Sequence, residues 1–359
     1  MERVLSIDNS SPLGWALSPL IPLASLYGLA MKARSSLYAR GWLTQHYLPC
    51  RVISVGNLTV GGTGKTPVVI ALASALRERG RRVGVVSRGY KRRSVAGVLE
   101  VSDGQTVRSD PDETGDEPLL IAQRCPGVPV AVGADRPLAG RHLLDRYHVD
   151  TLIMDDGYQH LALRRDANIL VLDASTPFGN GYLLPRGGLR EPLSAMARAT
   201  AVLITRASQA ARLDDLKTAV RTVSSTVPVW VTDFRPSTVA QVGGSSTVEP
   251  SALKGEQVLA VSGIGRPDSF RRLLADAGAT VAEHCVFPDH HAYSWEDVQR
   301  VRQAAARAGA IRIVTTEKDG VKLARFDAVA KQEVPIWAVR IDLTWLEGFE
   351  EWTRVVLNG

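Results

Sequence analysis

Residues 51–70 read RVISVGNLTVGGTGKTPVVI and decide the fold. A largely β-branched run at residues 52–55 enters a glycine-rich turn, the turn ends in Gly64-Lys65-Thr66, and an apolar helical pattern follows. This order of strand, glycine loop, Lys-Thr and helix is the layout of a phosphate-binding loop, or P-loop. Glycines let backbone N–H groups converge on an anion, and the start of the helix adds partial positive charge. The stretch therefore predicts a nucleotide site in which Lys65 reaches the β- and γ-phosphates and the Thr66 hydroxyl binds Mg²⁺.

The loop departs from the standard P-loop spacing. In G-x-x-x-x-G-K-[ST] the first glycine would fall at Thr59, whereas this chain has glycines at Gly56, Gly61 and Gly62. The loop also resembles that of partitioning ATPases, which carry an extra lysine where this chain has Val60. No G-x-G-x-x-G can be laid over the turn, which excludes a dinucleotide site of that type. The loop residues predicted to bind ATP are Asn57, Thr59, Val60, Gly61, Gly62, Thr63, Gly64, Lys65, Thr66 and Pro67.

Length and composition limit the kind of protein. A chain of 359 residues is expected to form about two domains. Its 45% hydrophobic and 22% charged residues are typical of a globular protein with a buried core. The formal net charge of +6 fits an anionic substrate, an anionic membrane surface or nucleic acid, and does not choose among them. The cysteines Cys50, Cys125 and Cys285 have no metal-ligand spacing, which indicates a reducing compartment without a disulfide framework.

The first 45 residues form a distinct segment. Residues 9–31 carry no charge but contain Pro12, Pro19 and Pro22, which argues against a spanning helix. From residue 23 onward apolar side chains recur at helical spacing, with basic residues among them. The members are Leu23, Leu26, Tyr27, Ala30, Leu37, Tyr38 and Trp42, with Lys32, Arg34 and Arg40. Two interpretations stay open: an interfacial helix with its apolar face in lipid, and a helix packed on its own domain.

A second motif predicts a metal site. Residues 151–156 form an apolar strand that ends in Asp155 and Asp156. This is the Walker B layout, in which a carboxylate at the strand tip holds Mg²⁺ directly or through water. Thr66 together with Asp155 or Asp156 is therefore the predicted set of Mg²⁺ ligands.

Two further sets of charged residues stand at element ends. Arg88 follows the strand predicted at residues 83–86 and belongs to a basic run. The carboxyl ends of strands are where open α/β sheets bind ligands, which favours anion recognition by Arg88. Asp116 and Glu117 open an apolar helix, where an acidic pair is usually a cap.

The remaining chain alternates predicted strands and helices, which is the pattern of an α/β fold. Residues 236–256 are rich in Ser, Gly, Val and Thr without a helical period, and we place the domain connection there. We predict a P-loop NTPase-like α/β/α domain with a mainly parallel sheet at residues 46–235 and a smaller α/β domain at residues 236–359. The membrane-associating segment is residues 1–45, and the active site is expected in the cleft between the two domains.

Together these motifs resemble the tetraacyldisaccharide 4′-kinase family, the lipid A 4′-kinases. They run in the family's order from about residue 52 to residue 323. The motifs are residues 55–67 (VGNLTVGGTGKTP), 87–90 (SRGY), 115–118 (GDEP), 155–160 (DDGYQH), 184–194 (LPRGGLREPLS), 262–264 (SGI), 287–293 (FPDHHAY) and 315–319 (TTEKD). The P-loop alone is moderately specific, and the ordered set is highly specific.

The resemblance implies a lipid kinase. The family transfers the γ-phosphate of ATP to the 4′-hydroxyl of a tetraacylated glucosamine disaccharide 1-phosphate, on the cytoplasmic face of the inner membrane. ATP and Mg²⁺ are the implied cofactors. A lipid A disaccharide precursor and an anionic membrane surface are the implied partners, with peripheral attachment and no nucleic acid.

The resemblance also implies residue roles. Asp116 matches the carboxylate that activates the hydroxyl, His290 matches the histidine that works with it, and Lys65 completes the catalytic set. A carboxylate assisted by a histidine is reasonable general-base chemistry for a sugar hydroxyl. Because Asp116 and His290 belong to different predicted domains, we expect the pair to be complete only when the cleft closes on substrate. The implied substrate-binding residues are Arg88, Glu117, His160, Arg190 and Glu191.

Two residues depart from the family pattern. Lys91 stands where glycine is expected after the SRGY motif, and Arg266 stands where asparagine is expected after the SGI motif. Both add positive charge, so the fit near the substrate phosphate or in the cleft is expected to differ.

Two other functions compete with this one. The first is a switch-type P-loop ATPase or GTPase that binds partners or membrane and makes no phosphorylated product. Residues 316–319 (TEKD) only faintly resemble a guanine-reading Asn-Lys-x-Asp, because the asparagine is missing. The second is a kinase of a soluble small molecule, against which the uncharged N-terminal segment argues.

Overall fold

A computed structural model describes residue 14 and residues 16–89, 97–107, 110–327 and 334–357. These residues form one mixed sheet of thirteen strands with helices packed on it. The strands are β1 (Arg51–Gly56), β2 (Val83–Ser87), β3 (Leu99–Ser102), β4 (Val130–Val132), β5 (Thr151–Asp155), β6 (Ala167–Asp173), β7 (Ala201–Thr205), β8 (Val229–Gln241), β9 (Thr247–Val248), β10 (Gln257–Ser262), β11 (Thr280–Val286), β12 (Arg312–Thr316) and β13 (Ile336–Glu347).

The α-helices are α1 (Ile21–Ala39), α2 (Lys65–Glu78), α3 (Pro111–Thr114), α4 (Asp116–Arg124), α5 (Arg136–Tyr147), α6 (Leu213–Val223), α7 (Pro267–Asp276), α8 (Trp295–Arg307), α9 (Glu317–Asp327) and α10 (Phe349–Trp352). Short 3₁₀ helices span Ser18–Leu20, Leu193–Arg198, Ala207–Gln209 and Pro250–Leu253, and a π-helix spans Thr353–Leu357. The predicted α/β class with a mainly parallel sheet is confirmed.

The predicted strand, loop and helix around the P-loop are present. β1 is buried along almost its whole length because it lies in the middle of the sheet, between β5 and β6. α2 buries an apolar stripe that includes Val68, Val69, Leu72 and Leu76. This stripe packs with α4 and the buried strands in one core cluster. The P-loop is therefore held between two buried elements.

The sheet has two sections, which we call the N-terminal and C-terminal half-sheets. The N-terminal half-sheet contains β1 to β7 in the order β7-β6-β1-β5-β2-β4-β3, parallel except for the edge strand β3. The C-terminal half-sheet contains β10 to β12 in the order β11-β10-β12, all parallel. Between them lie the long strands β8 and β13, which pair antiparallel from Trp337 opposite Gln241 to Glu347 opposite Val231.

The two long strands orient the half-sheets toward each other. β8 pairs parallel with β7 only over its first residues and then continues past the carboxyl end of β7. β13 likewise pairs parallel with β12 at its start and then continues alongside the beginning of β8. The carboxyl ends of the two half-sheets therefore face a common junction. Open α/β sheets bind ligands at such ends, so residues from both sections can meet there.

The predicted domain boundary falls inside β8. Residue 236 is Pro236, which pairs with Ile341 of β13, so the two sections share one sheet. The proposed division into residues 46–235 and 236–359 stays a prediction.

The N-terminal helix α1 packs on the molecule by a narrow side. Ala24 and Gly28 are its buried residues, and a Cβ on Gly28 would lie 2.5 Å from Leu183 Cδ1. Glycine therefore lets the helix approach that loop closely. The opposite side leaves Leu26 and Leu29 65% and 66% exposed. The helix thus packs on its own domain and also presents an apolar face.

Part of the predicted membrane-associating segment, residues 1–13 and Trp15, lies outside the described residues. Within the described ranges, no helix combines the length and the apolar character that crossing a membrane requires.

Candidate active site

The loop before α2 has the shape that an anion-binding turn requires. α2 begins at Lys65, and Gly64 before it has a φ of 81°. A Cβ on Gly64 would lie 2.5 Å from Phe234 Cζ, so both the backbone angle and the space require glycine. The neighbouring loop supports the turn, because the Val60 N–H donates to the Gly188 carbonyl at 2.8 Å. The P-loop is therefore held in place by contacts outside itself.

Lys65 points toward the carboxylates predicted to hold the metal. Its ammonium donates to Asn57 Oδ1 at 3.1 Å and lies 3.4 Å from Asp156 Oδ1. The Asn57 amide in turn donates to the Thr59 carbonyl at 2.8 Å. The Asn57 side chain thus links the backbone at Thr59 to the Lys65 ammonium.

Asp155 and Asp156 have opposite electrostatic surroundings. Asp155 is buried at the end of β5 and accepts a hydrogen bond from Ser87 Oγ at 2.9 Å. Burial and the negative charges of Glu117 and Asp156 raise the pKa of Asp155 above its usual range. For Asp156, burial also favours the neutral acid, but Lys65 and Arg190 outweigh it and lower the pKa. Arg190 Nη1 donates to both oxygens of Asp156, at 3.1 and 2.9 Å.

This donor set fits Mg²⁺. Asp155 lies close to two other carboxylates, and a cation would relieve the repulsion that raises its pKa. The described ranges contain no group of three or more His, Cys, Asp or Glu side chains arranged to hold a metal alone. Mg²⁺ usually takes one or two carboxylates and completes its shell with phosphate oxygens and water. Thr66 stands at the start of α2, next to Lys65.

Asp116 and His290 meet across the junction of the two half-sheets. Asp116 is the first residue of α4 and is 6% exposed. His290 lies in the loop between β11 and α8, with a φ of 59° that directs the chain around a tight turn. Its Nδ1 lies 3.0 Å from Asp116 Oδ1 and 3.1 Å from Oδ2. The structure therefore brings the two predicted residues into contact. The expectation that closure on substrate assembles the pair stays a prediction.

Two lysines of α9 complete the charge cluster. Lys318 Nζ lies 3.2 Å from His290 Nε2 and 3.5 Å from Glu117 Oε1. Lys322 Nζ lies 3.6 Å from Asp116 Oδ2. Burial disfavours the charged form of Asp116, but the His290 hydrogen bond and the two ammonium groups outweigh it and lower the pKa of Asp116. The carboxylate is therefore ionised at neutral pH.

Comparison with known proteins agrees with this geometry. The family model described as tetraacyldisaccharide-1-P 4′-kinase matches residues 16–358. The chain belongs to the tetraacyldisaccharide 4′-kinase family. A protein of that name from Syntrophus aciditrophicus is 44% identical over 314 residues, covering 85% of this chain and 83% of the relative. Another from Anaeromyxobacter sp. is 44% identical over 336 residues, covering 92% and 88%.

A solved structure of the family shares the fold. The crystal structure described as the "apo" form of LpxK from Aquifex aeolicus in complex with ATP aligns with a TM-score of 0.77 at 32% identity. The alignment covers 96% of this chain and 99% of that chain. Family membership does not favour the switch-type P-loop alternative.

The residues predicted to bind the substrate lie in several environments. Arg88 is exposed at the end of β2, while Tyr90 and Lys91 of its motif lie outside the described residues. Arg190 pairs with Asp156, one of the predicted Mg²⁺ ligands. Glu191 is buried and accepts from Arg198 Nη2 at 2.6 Å. The structure therefore brings Glu117 close to Asp116 and His290, the predicted catalytic pair, and Arg190 to Asp156, a predicted Mg²⁺ ligand.

His160 lies among arginines. Burial and the positive charges of Arg136, Arg165 and Arg34 lower the pKa of His160 to about 4, so its ring is neutral at physiological pH. His160 Nε2 is buried and makes no hydrogen bond within the part of the chain that the structure describes. This environment is basic and suits an anionic group.

The family departure at Arg266 forms a contact between the two half-sheets. Its guanidinium donates to the hydroxyls of Ser175 and Thr176 and lies 3.2 Å from Asp173 Oδ2. Arg206 also pairs with Asp173 and donates to the Gly62 carbonyl of the P-loop at 3.2 Å. The extra charge is therefore neutralised within the protein.

Sequence reasoning missed the roles of Lys318, Lys322 and Arg206. Residues 315–319 contributed to the family resemblance and to a comparison with a guanine-reading sequence, but neither gave Lys318 a place in the site. Its partners Glu117 and Asp116 are about two hundred positions away, so neither spacing nor periodicity could connect them. Arg206 had no motif signal.

Proposed function

We propose that this chain transfers the γ-phosphate of ATP to the 4′-hydroxyl of a tetraacylated glucosamine disaccharide 1-phosphate, a step of lipid A biosynthesis. The observation that carries this proposal is that the P-loop and the Asp116–His290 pair both lie at the carboxyl ends of strands that face the junction of the two half-sheets. In the reaction the hydroxyl oxygen forms a bond to the γ-phosphorus and the bond to the β–γ bridging oxygen breaks. ADP leaves, and the hydroxyl proton goes to a base.

The P-loop positions the donor. Lys65 and the backbone N–H groups that precede it hold the β- and γ-phosphates, with the loop shape set by Asn57 and Gly64. The ATP named for the Aquifex aeolicus relative supports ATP as this donor.

We assign Mg²⁺ to Thr66, Asp155 and Asp156. The bound ion would neutralise charge on the phosphate oxygens as the transferring group loosens. Ser87 orients Asp155 by donating to Oδ2, and Arg190 orients Asp156 through both of its oxygens. These hydrogen bonds keep the two carboxylates in fixed positions before the ion arrives.

Asp116 accepts the hydroxyl proton, and His290 holds the carboxylate in place. The low pKa of Asp116 keeps it ionised and ready to accept a proton. A weak base is sufficient in a loose transition state, because the attacking hydroxyl becomes acidic as its oxygen bonds to phosphorus.

On the acceptor side, we assign the anionic and sugar groups of the lipid precursor to Arg88, Glu117, His160, Arg190 and Glu191. The arginines around His160 support an anionic ligand there. Glu191 acts through its ion pair with Arg198.

The lipid is reached from the membrane surface. On α1 the side chains Leu23, Leu26 and Leu29 are more than half exposed, and Trp42 after the helix is 72% exposed. Lys32 is exposed on the same helix. This combination supports peripheral binding to an anionic surface, with the apolar face in the headgroup region. We propose the cytoplasmic face of the inner membrane as that surface.

A transfer assay tests the proposal. Purified protein with γ-labelled ATP, Mg²⁺ and a lipid A disaccharide precursor is expected to yield labelled lipid, and the Lys65→Ala protein is expected to yield none. ATP hydrolysis without labelled lipid would instead support the switch-type class.

A further inference from the structure

Both ring nitrogens of His290 have a charged neighbour. Nδ1 lies 3.0 and 3.1 Å from the two oxygens of Asp116, and Nε2 lies 3.2 Å from Lys318 Nζ. Asp116 comes from α4 and Lys318 from the first turn of α9, so the imidazole is held between two helices. Any role of His290 depends on which nitrogen carries its proton.

The two neighbours determine that choice. An ammonium group has only donors, so Nε2 must be the acceptor in its contact with Lys318. An ionised carboxylate has only acceptors, so Nδ1 must carry the hydrogen that faces Asp116. A protonated Nε2 would place two donors 3.2 Å apart without an acceptor between them. These contacts with Asp116 and Lys318 are satisfied together by a neutral ring with its hydrogen on Nδ1.

We propose that Lys318 is a positioning residue that holds His290 as the neutral Nδ1–H tautomer, so that the Asp116 carboxylate, and not the imidazole, receives the hydroxyl proton. This inference rests on the proposed role of Asp116 and His290. It assigns a function to the TEKD motif, which the P-loop and the metal pair leave unexplained.

Lys318 is kept charged by its surroundings. Burial disfavours the ammonium, but Glu117, Asp116 and Asp289 outweigh it and raise the pKa of Lys318. Asp289 Oδ1 accepts from Lys318 at 3.1 Å, while Asp289 Oδ2 lies 3.8 Å from His290 Nε2. That second distance is too long for a hydrogen bond, so Asp289 does not take the place of the lysine.

The lysine is also fixed by the packing of α9 on α4. Arg124 of α4 donates to Glu317 Oε2 at 2.6 Å, one residue before Lys318. Farther along α9, Arg325 donates at 3.2 Å to Asp112 Oδ2 of α3, the short helix just before α4. These contacts set the position of the ammonium relative to the ring without touching the ring.

Lys322 provides a matched control. It lies one helical turn after Lys318 on α9, is buried where Lys318 is half-buried, and its Nζ lies 3.6 Å from Asp116 Oδ2. Its ammonium pairs with Asp319 and lies 5.2 Å from the Tyr293 ring centroid, and it makes no contact with His290 that the described residues show. Removing either lysine takes one positive charge from Asp116, but only Lys318 occupies Nε2.

The tautomer can be read directly by NMR on the full-length protein with ¹⁵N-labelled histidine, using His290→Gln to assign the signals. In the wild type at pH 7 we expect Nε2 to be unprotonated and Nδ1 to carry the hydrogen. In Lys322→Met and Lys318→Arg, which both keep a donor at Nε2, we expect the same pattern. In Lys318→Met, Nε2 is expected to take up a proton by pH 6, since the carboxylates of Asp116, Glu117 and Asp289 then act without the opposing ammonium.

Kinetics supply a second measurement. For Lys318→Met at pH 6 we expect kcat to fall by about tenfold or more, a part of the ~10²–10⁴-fold that general-base catalysis supplies. The KM for ATP is expected to stay within about threefold, and kcat is expected to recover as the pH rises.

A protonated Nε2 in the wild type at pH 7 would overturn the inference, as would an unchanged histidine spectrum in a folded Lys318→Met protein. If Lys318→Met does not fold, the wild-type and Lys318→Arg spectra decide. An active Asp116→Asn enzyme would instead refute the proposed base and leave the tautomer result standing.

Discussion

Replacing Asp116 by asparagine distinguishes a general base from a residue that only stabilises the start of its helix. Gly115 is the capping residue of α4, and the helix has no side-chain cap. The local contact of Asp116 is Oδ1, which accepts from the Glu117 N–H at 3.1 Å. An asparagine keeps that oxygen and the contact with His290 but cannot take up a proton. Asp116→Asn therefore removes the base and preserves the local shape.

The expected kinetic loss is large. General-base assistance is worth ~10²–10⁴-fold, which equals about 2.7–5.4 kcal/mol of transition-state stabilisation. This loss is expected in kcat, with ATP affinity little changed, because the carboxylate acts mainly in the transition state. In the proposed site the nucleotide is held by Lys65 and its loop, and the described contacts of Asp116 do not include them.

The expected loss of stability is smaller. Asparagine loses the charge contacts with Lys318 and Lys322, but Lys318 keeps Glu117 and Asp289 and Lys322 keeps Asp319. No ammonium is left buried without a carboxylate, so we expect a cost of about 1.5–3 kcal/mol, that of a hydrogen bond to a charged group. The melting temperature should fall by only several degrees, and the enzyme should stay folded in the assay.

A kinetic double-mutant cycle that combines Asp116→Asn with His290→Gln measures whether Asp116 and His290 act together. Labelled phosphate transfer gives kcat for the four proteins, equilibrium binding gives ATP affinity, and melting curves verify the fold. We expect the double variant to lose less than the product of the single losses, since the pair acts as one unit. Fully multiplicative losses, or an Asp116→Asn protein with most of its activity, would refute the reasoning and leave Asp155 or Asp156 as the next candidates.

Three further predictions follow from other parts of the site. Lys65→Ala should abolish transfer without unfolding the protein, and near-normal turnover would contradict the P-loop assignment. Changing Leu23, Leu26 and Leu29 together to serine should weaken flotation with anionic liposomes more than high salt does, because part of the binding is apolar; equal flotation would place the membrane contact elsewhere. His160 is neutral in the native state down to about pH 4 but takes up a proton near pH 6.5 once unfolded, so stability should fall as the pH drops between these values. Urea unfolding of His160→Gln should lack this part of the stability loss. The same pH dependence of stability in His160→Gln and the wild type would show that His160 titrates normally.

The P-loop could be predicted because its signal is local. A β-branched strand, closely spaced glycines and an apolar helix each act through neighbouring residues, and β1 and α2 begin and end close to where the pattern indicates. The glycine at position 64 is a local signal of the same kind, since the turn itself requires its positive φ. The contact with Phe234, however, comes from 170 positions away and left no trace in the loop sequence.

The continuous sheet could not be predicted in the same way. Residues 236–256 have the composition of a connector, yet residues up to Gln241 belong to β8. Their strand conformation depends on pairing with β13, whose partner residues lie about a hundred positions later. Strand propensity is decided largely by such neighbours, so a Ser-, Gly- and Thr-rich stretch gave no local sign of it.

That long-range pairing also explains how two distant motifs form one site. GDEP begins α4, which leads into β4 of the N-terminal half-sheet, and FPDHHAY follows β11 of the other. Because β8 and β13 run antiparallel across the junction, the carboxyl ends of both half-sheets face the same space. A single reversal of strand direction therefore brings Asp116 and His290 within 3.0 Å, although 174 positions separate them. The motif residues set the chemistry of the site, whereas the antiparallel strands β8 and β13, which carry no motif, set its geometry.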